Sequence, residues 1–308
     1  MKLLIINYHY FRDTKSGKGI HPITTSEFVN QLDLLSKKYL FISQKKLLSY
    51  FYKNSFPKGY FCLITFDDGL KEQLKAFEIL KEKKIPAIFF VSSMPLITNK
   101  VCMVHKFHYV MEQVNYDSLL DCVLQMFPDS PARFKDQLFQ KMSMNKYIYD
   151  EPKWAKIKFY FNSILNQREK HLLIDQLFQG LEKDEERFSR HLYMNDDDIK
   201  SIAQSDMLGS HCETHEPLGS MSDSQIHNEL LNSKKFLSTL SSREIHSVSY
   251  PFGDSKSVTQ GVIDIANEVY SLGITTERGI NCQNDIHKRS LSLKRVSTSD
   301  INNGEYLN

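Results

Sequence analysis

Cysteine is scarce in this 308-residue chain: five residues, at 62, 102, 122, 212 and 282, an odd number with no Cys-x-x-Cys pair. That excludes a disulfide framework and points to free thiols in a reducing compartment. Charge of one sign is also lacking. The net value is +2, so the basic footprint that neutralises nucleic-acid phosphates is missing, and no nucleic-acid partner is expected. No apolar run approaches the ~20 residues of a membrane-spanning helix. The apolar start, Leu3 to Ile6, is too short for a secretory leader, and no small-residue cleavage site follows it. Internal repeats and low-complexity tracts are absent as well. These absences leave a soluble protein expected in the cytoplasm. With 41% hydrophobic residues it has material for a substantial core, and its length fits one large or two small domains.

What is present centres on residues 60–69, Tyr-Phe-Cys-Leu-Ile-Thr-Phe-Asp-Asp-Gly. The apolar run Phe61 to Phe66 has the length of a buried strand. It ends in two adjacent carboxylates, which a buried strand does not need and which repel unless something positive holds them. Asp67 and Asp68 are therefore either turn residues, Asp-Gly being a common turn signal, or half of a charged site.

Along the chain, strands and helices alternate. A strand over 2–8 ends at His9. An amphipathic helix over 25–38 can be capped by Thr25 or Ser26. A short strand at 40–42, a helix at 44–53, the strand at 61–66, a helix at 71–84 and a strand at 86–91 follow. The rhythm breaks near 97, and 99–190 reads as a mostly helical insertion. It resumes with a helix at 196–204, a strand at 207–210, a helix at 222–240, a strand at 246–250, a helix at 257–270, a strand at 271–276 and a closing strand at 291–296. Such alternation implies parallel βαβ units. The expected organisation is a discontinuous domain, 1–98 with 191–308, interrupted by the helical segment 99–190.

His211-Cys212-Glu213-Thr214-His215 sets two imidazoles at i and i+4, near enough to share one cation, or simply two surface histidines. Position along the alternation says more. His9, Asp67-Asp68, His211 and Pro251-Phe252-Gly253 each follow a predicted parallel strand, and in barrel-like α/β folds that face holds the active site. One Asp and two His form a three-ligand set that leaves a coordination position open. The other Asp is then placed as a general base, and these residue types suit metal-assisted hydrolysis.

Thr65-Phe66-Asp67-Asp68-Gly69, His211 to His215, Tyr250-Pro251-Phe252-Gly253, Ile85 to Val91 and Leu293-Lys294-Arg295-Val296 resemble motifs of the polysaccharide deacetylase family, the NodB-homology carbohydrate esterases. The resemblance covers 1–98 and 191–300. It implies an incomplete (β/α)7 barrel that removes acetyl groups from sugars, so the expected partner is an acetylated amino sugar. Carried over by position, Asp68, His211 and His215 bind one divalent ion, Zn²⁺ first, with Co²⁺, Ni²⁺ or Mn²⁺ as alternatives. Asp67 is the base that activates a metal-bound water. The Phe252 N–H, flanked by Tyr250 and Pro251, stabilises the oxyanion.

The chain departs from the family in places. Cys212 replaces the usual Ser or Thr. Ser249 stands where an Arg usually pairs with the base, and Arg295 is the candidate replacement. The late Leu-x-His general acid is missing, since His287 lies outside that context. Ile6-Asn7-Tyr8-His9-Tyr10 resembles the N-terminal Tyr-His of a permuted subgroup. That likeness makes His9 the acid, expected opposite Asp67 across the open coordination position. Trp154 is either a sugar-stacking residue or part of a helical core, and Val104 to His108 either touch substrate or begin a helix. Segment 99–190 is expected to select substrate or to form a homodimer contact. Two other readings stay open beside sugar deacetylation: hydrolysis of another amide such as a formyl group, and a degenerate barrel that binds glycan without turnover.

Overall fold

The computed structural model describes residues 1–14, 18–302, 304 and 306. Positions 15–17, 303, 305, 307 and 308 of the expected barrel segments lie outside that description. Contacts divide the chain into two units: Met1–Asp13, Pro22–Lys100 and Ser189–Asn308 form one, and Thr14–His21 with Val101–Phe188 form the other.

The first unit is built on β1 (Lys2–Tyr8), β2 (Leu40–Phe41), β3 (Tyr60–Phe66), β4 (Ala87–Val91), β5 (Leu208–Ser210), β6 (Ser247–Ser249), β7 (Leu272–Ile274), β8 (Asn281–Cys282) and β9 (Val296–Ser297). The order is β7-β6-β5-β4-β3-β1-β8, with β2 on β3 and β9 on β1. All pairs are parallel except β1 with β8. Helices such as Thr25–Ser36, Leu74–Lys83, Asp223–Ser241 and Gln260–Val269 separate the strands. This is the incomplete (β/α)7 barrel with its crossover helices.

Both faces of the sheet are covered, which is why β1, β3 and β4 read as continuous apolar runs rather than alternating ones. The period of two nevertheless sorts the side chains. Leu3, Ile5, Leu63, Ile88, Phe90, Leu272, Ile274 and Leu293 pack into one cluster inside the barrel. Leu4, Ile6, Tyr8, Ile64, Phe66, Phe89, Leu208 and Val248 join the cluster shared with the helices. Gly209 belongs to the inward row, and a Cβ there would lie 2.5 Å from a Phe90 ring carbon and 2.8 Å from Ile88.

The chain-terminal strand differs from expectation. Leu291 to Val296 is not one strand. Leu293 bridges Ile274 of β7, and Val296 pairs with Ile6 of β1. Between them Lys294 is turned out of the ladder, its N–H donating to Asn281 Oδ1 and its carbonyl accepting from Asn281 Nδ2, both at 2.8 Å. The segment therefore stands between β7 and β1.

Helices fill Val101–Phe188 of the second unit, which also takes in Thr14–His21. Lys158 Nζ donates to the Gly19 carbonyl at 2.7 Å and pairs with Asp150 at 2.7 Å. Trp154 is 3% exposed and meets Tyr116 edge to face, a core position rather than a sugar platform. Val104 to His108 lie in the helix Met103–Gln113, with His105 and Phe107 buried. Among the described residues no helix is long and apolar enough to cross a membrane.

Candidate active site

Strand parity builds the site. The inward row of β1 runs Leu3, Ile5, Asn7, that of β3 runs Leu63, Thr65 and then Asp67, and the inward positions of β6 are Ser247 and Ser249. The strand register sets Asn7 beside Thr65. Asp67, 1% exposed, thus receives a ring of donors. Arg295 Nη1 and Nη2 reach its two oxygens at 2.8 and 2.7 Å, a bidentate pair. Asn7 Nδ2 and Ser249 Oγ each donate to Oδ2 at 3.2 Å. Burial alone would raise the Asp67 pKa, but the Arg295 charge, helped by His211 and His9, overrides it and brings the carboxyl down to about 2. Arg295 is itself 2% exposed, carried into place by the segment that pairs with β7 and β1.

Asp68 turns the other way. Its Oδ1 lies 3.3 Å from His211 Nε2 and 3.1 Å from His215 Nε2. One ligand atom from each of the three residues falls within 4.8 Å of the others, and all three side chains are buried. His211 Nδ1 donates to the Ser249 carbonyl at 2.6 Å. That bond fixes the tautomer and leaves Nε2 with its lone pair directed at the cluster. A carboxylate oxygen and two imidazole nitrogens are the donor set of a zinc-type catalytic site, so the residues present fit a divalent cation. Desolvation pushes the His215 pKa down, and the Asp68 hydrogen bond and charge push it up, with the rise prevailing.

His9 joins the group from the end of β1. Its Nε2 lies 3.8 Å from Asp67 Oδ2 and 3.4 Å from Asn7 Nδ2. The imidazole therefore sits beside Asp67 rather than opposite it, because Asn7 bridges the two side chains. Packing draws its pKa below the ordinary value while Asp68 and Asp67 oppose the fall. With 45% of the side chain exposed, water tempers that pull.

Phe252 has φ +62°, and among the described residues its N–H donates to no backbone carbonyl. Its ring lies 5.6 Å from the His215 ring. Pro251 is buried in the same turn. Tyr250 is a correction. Its side chain is 1% exposed and its hydroxyl donates to the Leu291 carbonyl at 2.9 Å, so it packs into the core and offers the site nothing beyond backbone. Two contributors escaped the sequence reading. Asn7 was legible from the inward parity of β1, where a polar residue at the carboxyl end calls for a partner. Gln73, 0% exposed, donates to the His9 and Asp67 carbonyls at 2.8 and 2.6 Å. No motif announced it.

Four of these residues hold left-handed backbone without being glycine: Asp68 at φ +80°, Cys212 at +63°, His215 at +64° and Phe252 at +62°. Each costs on the order of 1–3 kcal/mol and persists only where neighbours over-determine it. Their gathering around one cluster marks that cluster as the functional part of the barrel.

The family model described as Polysaccharide deacetylase matches residues 155–270. That span begins inside the helical segment, takes in His211 to His215 and the Pro251 turn, and does not reach His9, Asp67 or Asp68. No curated protein sequence matches. Among solved structures, the deacetylase PplD of Streptococcus pyogenes, in complex with acetate, aligns over 96% of this chain and 92% of its own, with a TM-score of 0.60 and 16% identity. IcaB of Ammonifex degensii aligns over 96% and 91%, with a TM-score of 0.57 and 16% identity. A de-N-acetylase of Aggregatibacter actinomycetemcomitans covers 98% and 99%, with a TM-score of 0.59 and 12% identity. At these identities the likeness is one of fold.

Proposed function

Taking the chain as similar to the polysaccharide deacetylases in family model and fold, we propose that it is a metal-dependent hydrolase. Its substrate would be an acetylated amino sugar of a glycan or glycan precursor, and the bond cut is the amide of the N-acetyl group. The observation that carries this reading is the buried, ionised Asp67, held by Arg295 next to the Asp68–His211–His215 cluster. Those three residues would hold the cation. Bound there, a divalent cation supplies Lewis acidity and a lowered water pKa, chemistry that allows so weak a base as Asp67 to suffice.

The chain's own groups then divide the work. Asp67 accepts the proton of the attacking water, and the guanidinium of Arg295 fixes its two oxygens in one orientation. Charge gathers on the carbonyl oxygen as the water adds. The Phe252 N–H is the backbone donor for that oxygen, a contribution typically of about 3 kcal/mol. The leaving nitrogen needs a proton, and His9 is the donor, half open to solvent and beside Asp67. Hydrolysis of another acyl amide on a sugar would use the same groups. A non-catalytic glycan binder has no use for the bidentate Arg295–Asp67 pair.

The test is release of free amine from N-acetylglucosamine oligomers by Zn²⁺-loaded protein. Activity should vanish with a chelator and return with metal, and Asp67→Asn should keep the metal but lose about 10²–10⁴-fold in rate. Chelator-resistant activity, or a normal rate in Asp67→Asn, would refute the assignment.

A further inference from the structure

The turn between the two ligand histidines contains no glycine, although Cys212 and His215 both hold left-handed backbone. Something must impose that conformation. From the end of β4, Ser92 Oγ donates to the His211 carbonyl at 3.0 Å, and the N–H groups of Ser93 and Met94 donate to the Cys212 and Glu213 carbonyls at 3.2 and 2.9 Å. These satisfy the carbonyls of the turn. Its N–H groups go elsewhere. Glu229, on the helix Asp223–Ser241, accepts the N–H of Glu213 and the N–H of Thr214 at Oε2, both at 2.9 Å, and the Thr214 hydroxyl at Oε1 at 2.7 Å. Asn232, one turn further along, donates to the Glu213 carboxylate at 3.0 Å.

Glu229 is 7% exposed and occupies the buried face of its helix with Ile226, Leu230 and Ser233. Among the described residues it has no cationic partner. A carboxylate buried in that way is costly unless donors are aimed at it, and here all three donors belong to one two-residue stretch of the ligand turn. Cys212 cannot do the same job, because a thiol is a weak hydrogen-bonding group and this one is fully buried in the barrel–helix core.

We infer that Glu229 is a positioning residue for the metal site. Resting on the proposed metal-dependent reading, it locks the Glu213–Thr214 peptide so that His211 and His215 present their Nε2 atoms together before any cation arrives. Support of this kind around ligating residues typically governs 10–100-fold in metal affinity.

The test uses the full chain, with Zn²⁺ affinity measured by competition against a chelating dye and amide hydrogen exchange of 211–216 followed in metal-free protein. Glu229→Ala should weaken Zn²⁺ binding at least about tenfold and speed exchange at Glu213 and Thr214. Glu229→Gln, which keeps one acceptor oxygen, should fall between it and the parent. Lys234→Ala is the control: it removes the bond from the same helix to the Val269 carbonyl without touching the turn or its flanking residues, and should leave Zn²⁺ affinity unchanged. If Glu229→Ala binds Zn²⁺ as tightly as the parent, the positioning role is overturned and the metal site stands. If Lys234→Ala weakens binding as much as Glu229→Ala, the effect belongs to the helix and the role is likewise overturned. A parent protein that binds no Zn²⁺ overturns the metal-dependent reading and this inference with it.

Discussion

Asp67 feels two opposed influences, burial raising its pKa and Arg295 lowering it, and the second prevails. Its folded pKa of about 2 lies below the ordinary 3.8. The stabilisation from the pair is thus present above pH ~4 and lost as pH falls toward 2, a difference of roughly 2 kcal/mol. Removing the guanidinium reverses the balance. Arg295→Met should move the acidic limb of the kcat/KM profile upward by about one pH unit or more, since a buried, unpaired carboxyl ionises late. A limb that stays put would show that Asp67 is not the group behind it. His9→Ala should retain metal and fold while turnover drops about a hundredfold, read by amine release and metal content on one sample. Normal turnover would place the acid elsewhere. Asp67, Asp68, His211 and His215 stood out in the sequence as candidates because each follows a strand in a recognisable motif, and the fold brings the last three together. Asn7 and Ser249 were there to be found by parity, but the pairing Asn7–Asp67–Ser249 joins three strands, and a single sequence does not show which strands are neighbours.

Element boundaries were legible wherever a strand was long or a helix carried a cap. Asn195 with Asp198 forms a reciprocal capping box at the start of its helix, whereas the first helix is capped by Thr24 with Glu27, one residue before the expected Thr25 or Ser26. The last part of the barrel was misread as one strand because Leu291, Leu293 and Arg295 alternate convincingly. Pairing is actually shared between two neighbours, a residue or two on each, and β8 arises from two residues with no apolar pattern at all. Tyr250 now belongs to this architecture. Its hydroxyl pins the end of β6 to Leu291, and a Cβ on Gly273 would lie 2.5 Å from both that hydroxyl and the Leu291 carbonyl. Tyr250→Phe should therefore cost about 1 kcal/mol of stability in a thermal melt while kcat/KM holds within about twofold. A large loss of activity with unchanged stability would return Tyr250 to the site.

At the scale of the molecule, a cation bound only by the folded state raises stability by mass action, about 2.7 kcal/mol when its free concentration is a hundred times Kd. Zn²⁺ should raise the melting temperature of the parent and leave that of His215→Ala unmoved. Acidification should erase the gain, because ligating histidines must be neutral. An equal rise in the variant would point to metal held elsewhere. The barrel was visible in the rhythm of the chain, whereas the membership of Thr14–His21 in the second unit was not, since that stretch carries no periodic apolar pattern. Asp67 and the guanidinium that balances it are 228 residues apart, and the strand preceding His9 pairs with Val296. During synthesis Asp68, His211 and His215 have all been translated by residue 215, yet the counter-charge for Asp67 is still unmade. Closing the mouth of the barrel before then would bury an unpaired carboxylate. A nascent chain short of residue 295 therefore holds Asp68, His211 and His215 but lacks the guanidinium that balances Asp67, and closing so long a loop is slow.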